Sequence, residues 1–110
     1  MPQRDAVPDR IYKIASIESV AAADATGRFE GMPIDTQDGY IHFSTASQVT
    51  ETLRLHFCGQ SGLVLLGVST AALGEDLRWE PSRGGALFPH LYAPLAMSAV
   101  VWRGRADVAA

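Results

Sequence analysis

The chain has 110 residues, 47% of them apolar, which is enough for one hydrophobic core without staples or metal. With 9 Lys and Arg against 12 Asp and Glu, the net charge of -3 gives no electrostatic footprint for duplex nucleic acid. The one cysteine, Cys58, excludes an internal disulfide or a cysteine zinc knuckle, and is expected to be a buried, inert thiol in a reducing cytoplasmic setting.

The start, "MPQRDAVPDR", carries no apolar leader core, and "LVLLGV" is far too short to span a bilayer, so no membrane association is expected. No repeat of fixed period is present. The expectation is a single domain over residues 1–110 with a polar lead at 1–9.

"RIYKIA" (10–15) alternates β-branched and aromatic residues with polar ones and predicts a first strand from Arg10. Ser16 then caps a helix over 17–25, with Ile17, Val20 and Ala21 on one face, Glu18 in the first turn and Gly27 as the stop. "RFEGMPIDTQDGY" (28–40) is dense in turn formers and reads as a surface loop of functional length. "YIHFS" (40–44) follows as a strand with Ile41 and Phe43 on one face and Tyr40, His42 and Ser44 on the other. Thr45 and Gln48 form a capping-box pair for a second helix carrying Val49, Leu53 and Phe57, closed by Gly59.

"GLVLLGVS" (62–69) is a nearly continuous apolar run, expected to be a central strand buried on both faces. A short strand is expected over 77–80 and an irregular loop over "PSRGGALFPH" (81–90). "HLYAPL" (90–95), broken by Pro94, belongs on a sheet edge, and 97–106 forms the last strand. Strands before, between and after two helices in the N-terminal half give an α+β fold with a mixed or antiparallel sheet.

Three groups carry chemistry. His42 leads into a capped helix, so its ring and the Ser44 and Thr45 hydroxyls would line a mouth where helix N–H groups attract anions; alternatively Thr45 only caps and His42 is a half-exposed strand residue. His90, between Phe88 and Tyr92, is either a general acid or base or a core histidine bonded to a carbonyl. Glu80 beside Trp79 could be desolvated and raised, while Arg83 would oppose that or simply pair with it to hold the loop. Gly84-Gly85 could offer backbone N–H groups to an anion, though such a pair usually marks a turn. His42, His56 and His90 lack metal-site spacing, and no GxSxG, Walker A or Rossmann glycine pattern is present.

"IYKIAS", "GMPIDTQDGYIHFSTASQVTETLRLHF", "LVLLGVS" and "LRWEPSRGGALFPHLYAPL" together resemble domain-of-unknown-function family 952, small bacterial proteins, over about residues 10–103. The resemblance implies an ADP-ribosyltransferase-like fold, a split mixed or antiparallel sheet with an NAD-like ligand in the cleft between its halves. It also implies that Tyr12 or Lys13 takes the first-strand position, that His42, Ser44 and Thr45 line the middle, and that Glu80 or His90 takes the late one. As the resemblance implies, His42 would orient the nicotinamide ribose, Arg83 or Lys13 would hold a pyrophosphate, and Glu80 or His90 would stabilise an oxocarbenium-like state or activate the acceptor, with Tyr92 beside the ligand. Lys13 departs from the Arg or His usual at its position, and "FPHLY" from the usual late acidic pattern. The implied function is ADP-ribosyl or 2′-phosphotransferase-like chemistry on NAD as substrate. The alternatives are a non-catalytic module binding a nucleotide or small anion, and a structural or interaction protein.

Overall fold

The computed structural model describes residues 7–106, apart from the side chain of Arg83. Residues 1–6 of the polar lead lie outside the described residues, as does the Arg83 side chain expected to hold a pyrophosphate or pair with Glu80.

Strand β1 (Arg10–Ser16) forms as expected and pairs antiparallel with β4 (Leu63–Ser69) along its whole length. The last strand, β8 (Val100–Arg105), covers the other edge of β4 after a short 3₁₀ turn at Met97–Ala99. The order is therefore β1-β4-β8, with the apolar run in the centre. Its burial is less complete than expected, since Val64 and Leu65 are only half-buried. A second three-stranded sheet has the order β3-β6-β5, built from β3 (Ile41–His42), β6 (Leu87–Leu91) and β5 (Leu77–Pro81). A two-residue ladder joins β2 (Arg28–Phe29) to β7 (Leu95–Ala96). Every pairing among the described residues is antiparallel.

The helices number three among the described residues, not two, and all precede β4. Helix α1 (Ile17–Thr26) starts where the Ser16 hydroxyl accepts the Ser19 N–H at 3.1 Å, and stops at Gly27, whose φ of 88° only glycine adopts without strain. Helix α2 (Pro33–Asp38) lies inside the expected loop. Its residues are turn formers by composition, but Pro33 at the first position suits a helix start and the Asp35 carboxylate reaches back to the Met32 N–H at 2.6 Å. Helix α3 (Val49–His56) begins later than expected. Half the capping box is present, the Gln48 side chain accepting the Thr45 N–H at 3.0 Å, while the Thr45 hydroxyl turns to Ser47 instead. The helix ends at Phe57, ahead of Gly59, and leaves Cys58 exposed, contrary to the buried thiol expected.

The loop expected over 81–90 is replaced by the turn Arg83–Gly85 and by β6, the central strand of its sheet, in spite of Pro89. The Pro89 carbonyl accepts the Phe43 N–H at 3.0 Å, and a strand residue's N–H and C=O face the same neighbour. The missing N–H therefore faces β3, which stops pairing at His42, and β5 loses nothing.

Ile11, Phe29, Ile41, Leu66, Leu91 and Leu95 form one buried cluster that joins all three sheets. The two large sheets are also stitched by the backbone: the Tyr12 N–H donates to the Ser44 carbonyl and the Ser44 N–H to the Tyr12 carbonyl, both at 2.8 Å. No helix among the described residues is long and apolar enough to cross a membrane.

Candidate functional site at the seam between the sheets

The site follows from strand parity. His42 on β3 stands opposite His90 on β6, and His90 opposite Arg78 on β5. With side chains alternating along each strand, Tyr40, Glu80, Phe88 and Tyr92 fall on that same face, while Ile41, Trp79 and Leu91 point the other way. The face thus carries a packed aromatic group: Tyr40 stacks on His90 at 4.2 Å between ring centroids, and the His42 and His90 rings meet edge to face at 5.5 Å.

Four polar or charged residues are buried among the described ones, Lys13, Asp35, Ser44 and His90, and all four lie at this seam. Asp35 is the hub. Its Oδ1 accepts the His42 backbone N–H at 3.0 Å and meets His42 Nδ1 at 2.6 Å, while its Oδ2 takes the Met32 N–H and the Lys13 ammonium at 2.8 Å. Burial works to raise this carboxyl, but the His42 hydrogen bond and the Lys13 charge outweigh it and hold Asp35 at about 2. Burial in turn lowers the Lys13 ammonium from its ordinary value, against the pull of Asp35. Lys13 gives a second hydrogen to the His42 carbonyl at 3.0 Å, so its charge is cancelled and two of its three donors are engaged. His42 has neither ring nitrogen to spare, because Nε2 meets Asp38 Oδ2 at 2.9 Å.

A cavity of about 480 Å³ opens against this network, a volume suited to a small organic ligand. Tyr12, Lys13, His42, Ser44 and His90 line it, so five of the expected residues converge. Phe57 and Phe88 supply apolar wall, and His56 at the end of α3 brings in the third of the chain's histidines.

The remaining expected residues stand elsewhere. Glu80 is behind the wall: its Oε1 meets His90 Nδ1 at 2.7 Å and accepts the Tyr92 hydroxyl at 2.8 Å. These bonds, from His90 first and Tyr92 second, hold the Glu80 carboxyl below its usual range, the opposite of the raised value that a neighbouring indole suggested, since Trp79 points to the other face. Tyr92 lines a second cavity of about 410 Å³, beyond Tyr40. Thr45 lies outside the lining of either cavity.

The family model for a protein of unknown function, DUF952, matches residues 14–103. The chain belongs to that family. Among curated proteins none matches. Solved structures of the Caulobacter crescentus protein CC0527 are similar: a crystal structure with 52% identity and a TM-score of 0.88 covers 92% of this chain and 89% of that one. Its solution NMR structure has 51% identity and a TM-score of 0.82 over 94% and 89% of the two chains. For this DUF952 chain, reading the residues alone misses Asp35 and Asp38, because α2 was expected to be loop, and Thr52, which lines the cavity from α3. The available signal was the spacing of Pro33, Asp35 and Gly39, which suits a short helix as well as a turn. Among the described residues no group of three or more His, Cys, Asp or Glu is placed to hold a metal.

Proposed function

We propose that the seam cavity binds a nucleotide-like ligand of the NAD or ADP-ribose kind and supports displacement at its ribose C1′. The observation that carries this is the convergence of Tyr12, His42, Ser44 and His90 on one cavity between two antiparallel sheets, with phenylalanine walls to receive a ring. A cavity lying between two antiparallel sheets supports the reading of an ADP-ribosyltransferase-like cleft.

In this reading the roles differ from those expected. His42 is a positioning residue, its ring held between Asp35 and Asp38. Asp38 lines the cavity and supplies the negative charge that an oxocarbenium-like state would face. His90, braced by Glu80, is the group placed to take a proton from the acceptor hydroxyl as the C1′–nitrogen bond breaks and the C1′–oxygen bond forms. Ser44 and the remaining Lys13 hydrogen are donors for ribose or phosphate oxygens. The chain would work as a protein of the cell interior on a small-molecule partner.

A non-catalytic nucleotide or small-anion module is the second reading. One observation favours it: the late acid, Glu80, stands behind His90 and not in the cavity. Isothermal titration with NAD, ADP-ribose and a 2′-phosphorylated nucleotide, on the wild type and on His42→Ala and His90→Asn, tests both. Binding weakened by the substitutions, with nicotinamide released and release reduced at least about a hundredfold in His90→Asn, supports the enzyme. Binding without release supports the module, and silence from all three ligands overturns the nucleotide reading.

A further inference from the structure

His90 is 4% exposed, and its ring is fixed on three sides. Tyr40 stacks on one face at 4.2 Å with an interplanar angle of 27°, the His42 ring meets it edge to face, and Nδ1 is held 2.7 Å from Glu80 Oε1. Nε2 has no hydrogen-bond partner among the described residues, and the residue lines the cavity although Glu80 does not.

The identity of the atom that carries the hydrogen follows from the partner. A carboxylate only accepts, and both oxygens of Glu80 lie within hydrogen-bond distance of the Tyr92 hydroxyl, at 2.8 and 3.1 Å. The hydrogen bonds from His90 and Tyr92 also favour the ionised carboxylate. Facing that acceptor, Nδ1 must be the donor, and a neutral imidazole has only one N–H. We infer that Glu80 and Tyr92 are positioning residues that hold His90 with its hydrogen on Nδ1, so that a bare Nε2 faces the cavity and selects a ligand with a hydrogen-bond donor there, a ribose-type hydroxyl in preference to a phosphate oxygen. This rests on the cavity being the ligand site, and it adds which end of the ligand reaches β6: the sugar, with any phosphate directed away from His90.

The test is long-range ¹H–¹⁵N correlation NMR on the full chain near neutral pH, which reads the tautomer without any ligand. The expected result is a His90 ring protonated at Nδ1 and bare at Nε2. Glu80→Leu should move the hydrogen to Nε2 in most of the population, and Tyr92→Phe, on a ring already exposed to solvent, should keep the fold and give a smaller shift in the same direction. Nicotinamide riboside should then displace the Nε2 signal, and inorganic phosphate should leave it in place. An Nε2–H ring in the wild type, a tautomer indifferent to both substitutions, or a response to phosphate without one to the riboside overturns the inference. An Nδ1–H ring with the riboside silent and NAD unbound overturns the function proposed above and the donor selectivity with it, whereas riboside binding to an Nε2–H ring overturns the inference alone.

Discussion

Lys13 and Asp35 meet at 2.8 Å with their side chains 4% and 1% exposed, tying the first strand to the short helix that follows β2. Removing one partner of a buried pair strands the other charge, which costs more than the pair is worth against apolar replacements. Lys13→Met should lower stability by about 3 to 5 kcal/mol in urea unfolding, and adding Asp35→Leu should recover little of that loss, because it also strands the Met32 and His42 N–H groups and the His42 ring. A Lys13→Met protein as stable as the wild type would mean that the pair contributes nothing at the seam.

Acid should weaken the same joint. The folded Asp35 carboxyl sits at about 2 against an ordinary 3.8, so its contribution is fully present above about 3.8 and is lost as the pH falls through 2. The shift corresponds to ~2 kcal/mol. Comparing the wild type with Asp35→Asn isolates it from other carboxylates: the stability gap between them should narrow by that amount between pH 4 and pH 2, and a gap that stays constant would contradict the hydrogen-bond network described.

How far the site is legible in the residues depends on which link is asked for. Parity along "YIHFS" and "LFPHLY" places His42 and His90 on a shared face once the strands pair, and the Ser16 and Gly27 caps delimit α1 without tertiary help. What pairs with what is not local. Lys13, the chain's lysine, looks like a cation available to phosphate until Asp35, itself hidden in apparent loop, is found to neutralise it. Helix α2 is six residues long, too short to persist on propensity alone, so its existence depends on tertiary bonds to Asp35 that sequence periodicity cannot register. Pro89 argues against a central strand unless the length of β3 is known.

Gly31 is a second test of the hub. Its φ is +116°, and a Cβ there would lie 2.9 Å from the Asp35 Cβ, an atom fixed by four polar contacts and unable to give way. Gly31→Ala should cost at least about 1 to 3 kcal/mol from backbone strain and displace the His42 ring signals in NMR. A neutral substitution with unchanged His42 shifts would show that Asp35 is held less firmly than its contacts imply.

Cys58, expected to be buried, is exposed just past α3. It should react with a thiol reagent such as Ellman's reagent in the folded protein without denaturant, and Cys58→Ser should change stability by less than about 0.5 kcal/mol. Reaction that appears only on unfolding would contradict the position of the α3 end.

The reciprocal bonds between Tyr12 and Ser44 are a backbone bridge between the two large sheets, one residue wide. The sheets have separate ladders, and the amide hydrogens of these two residues are released when the bridge between them opens. Their exchange with deuterium, relative to that of Leu66 inside the β4 ladder, measures the free energy of opening that bridge. A ligand gripping both walls of the cavity must slow exchange at Tyr12 and Ser44 in proportion to its affinity, which makes two ordinary peptide groups a gauge of occupancy that needs no knowledge of the chemistry performed.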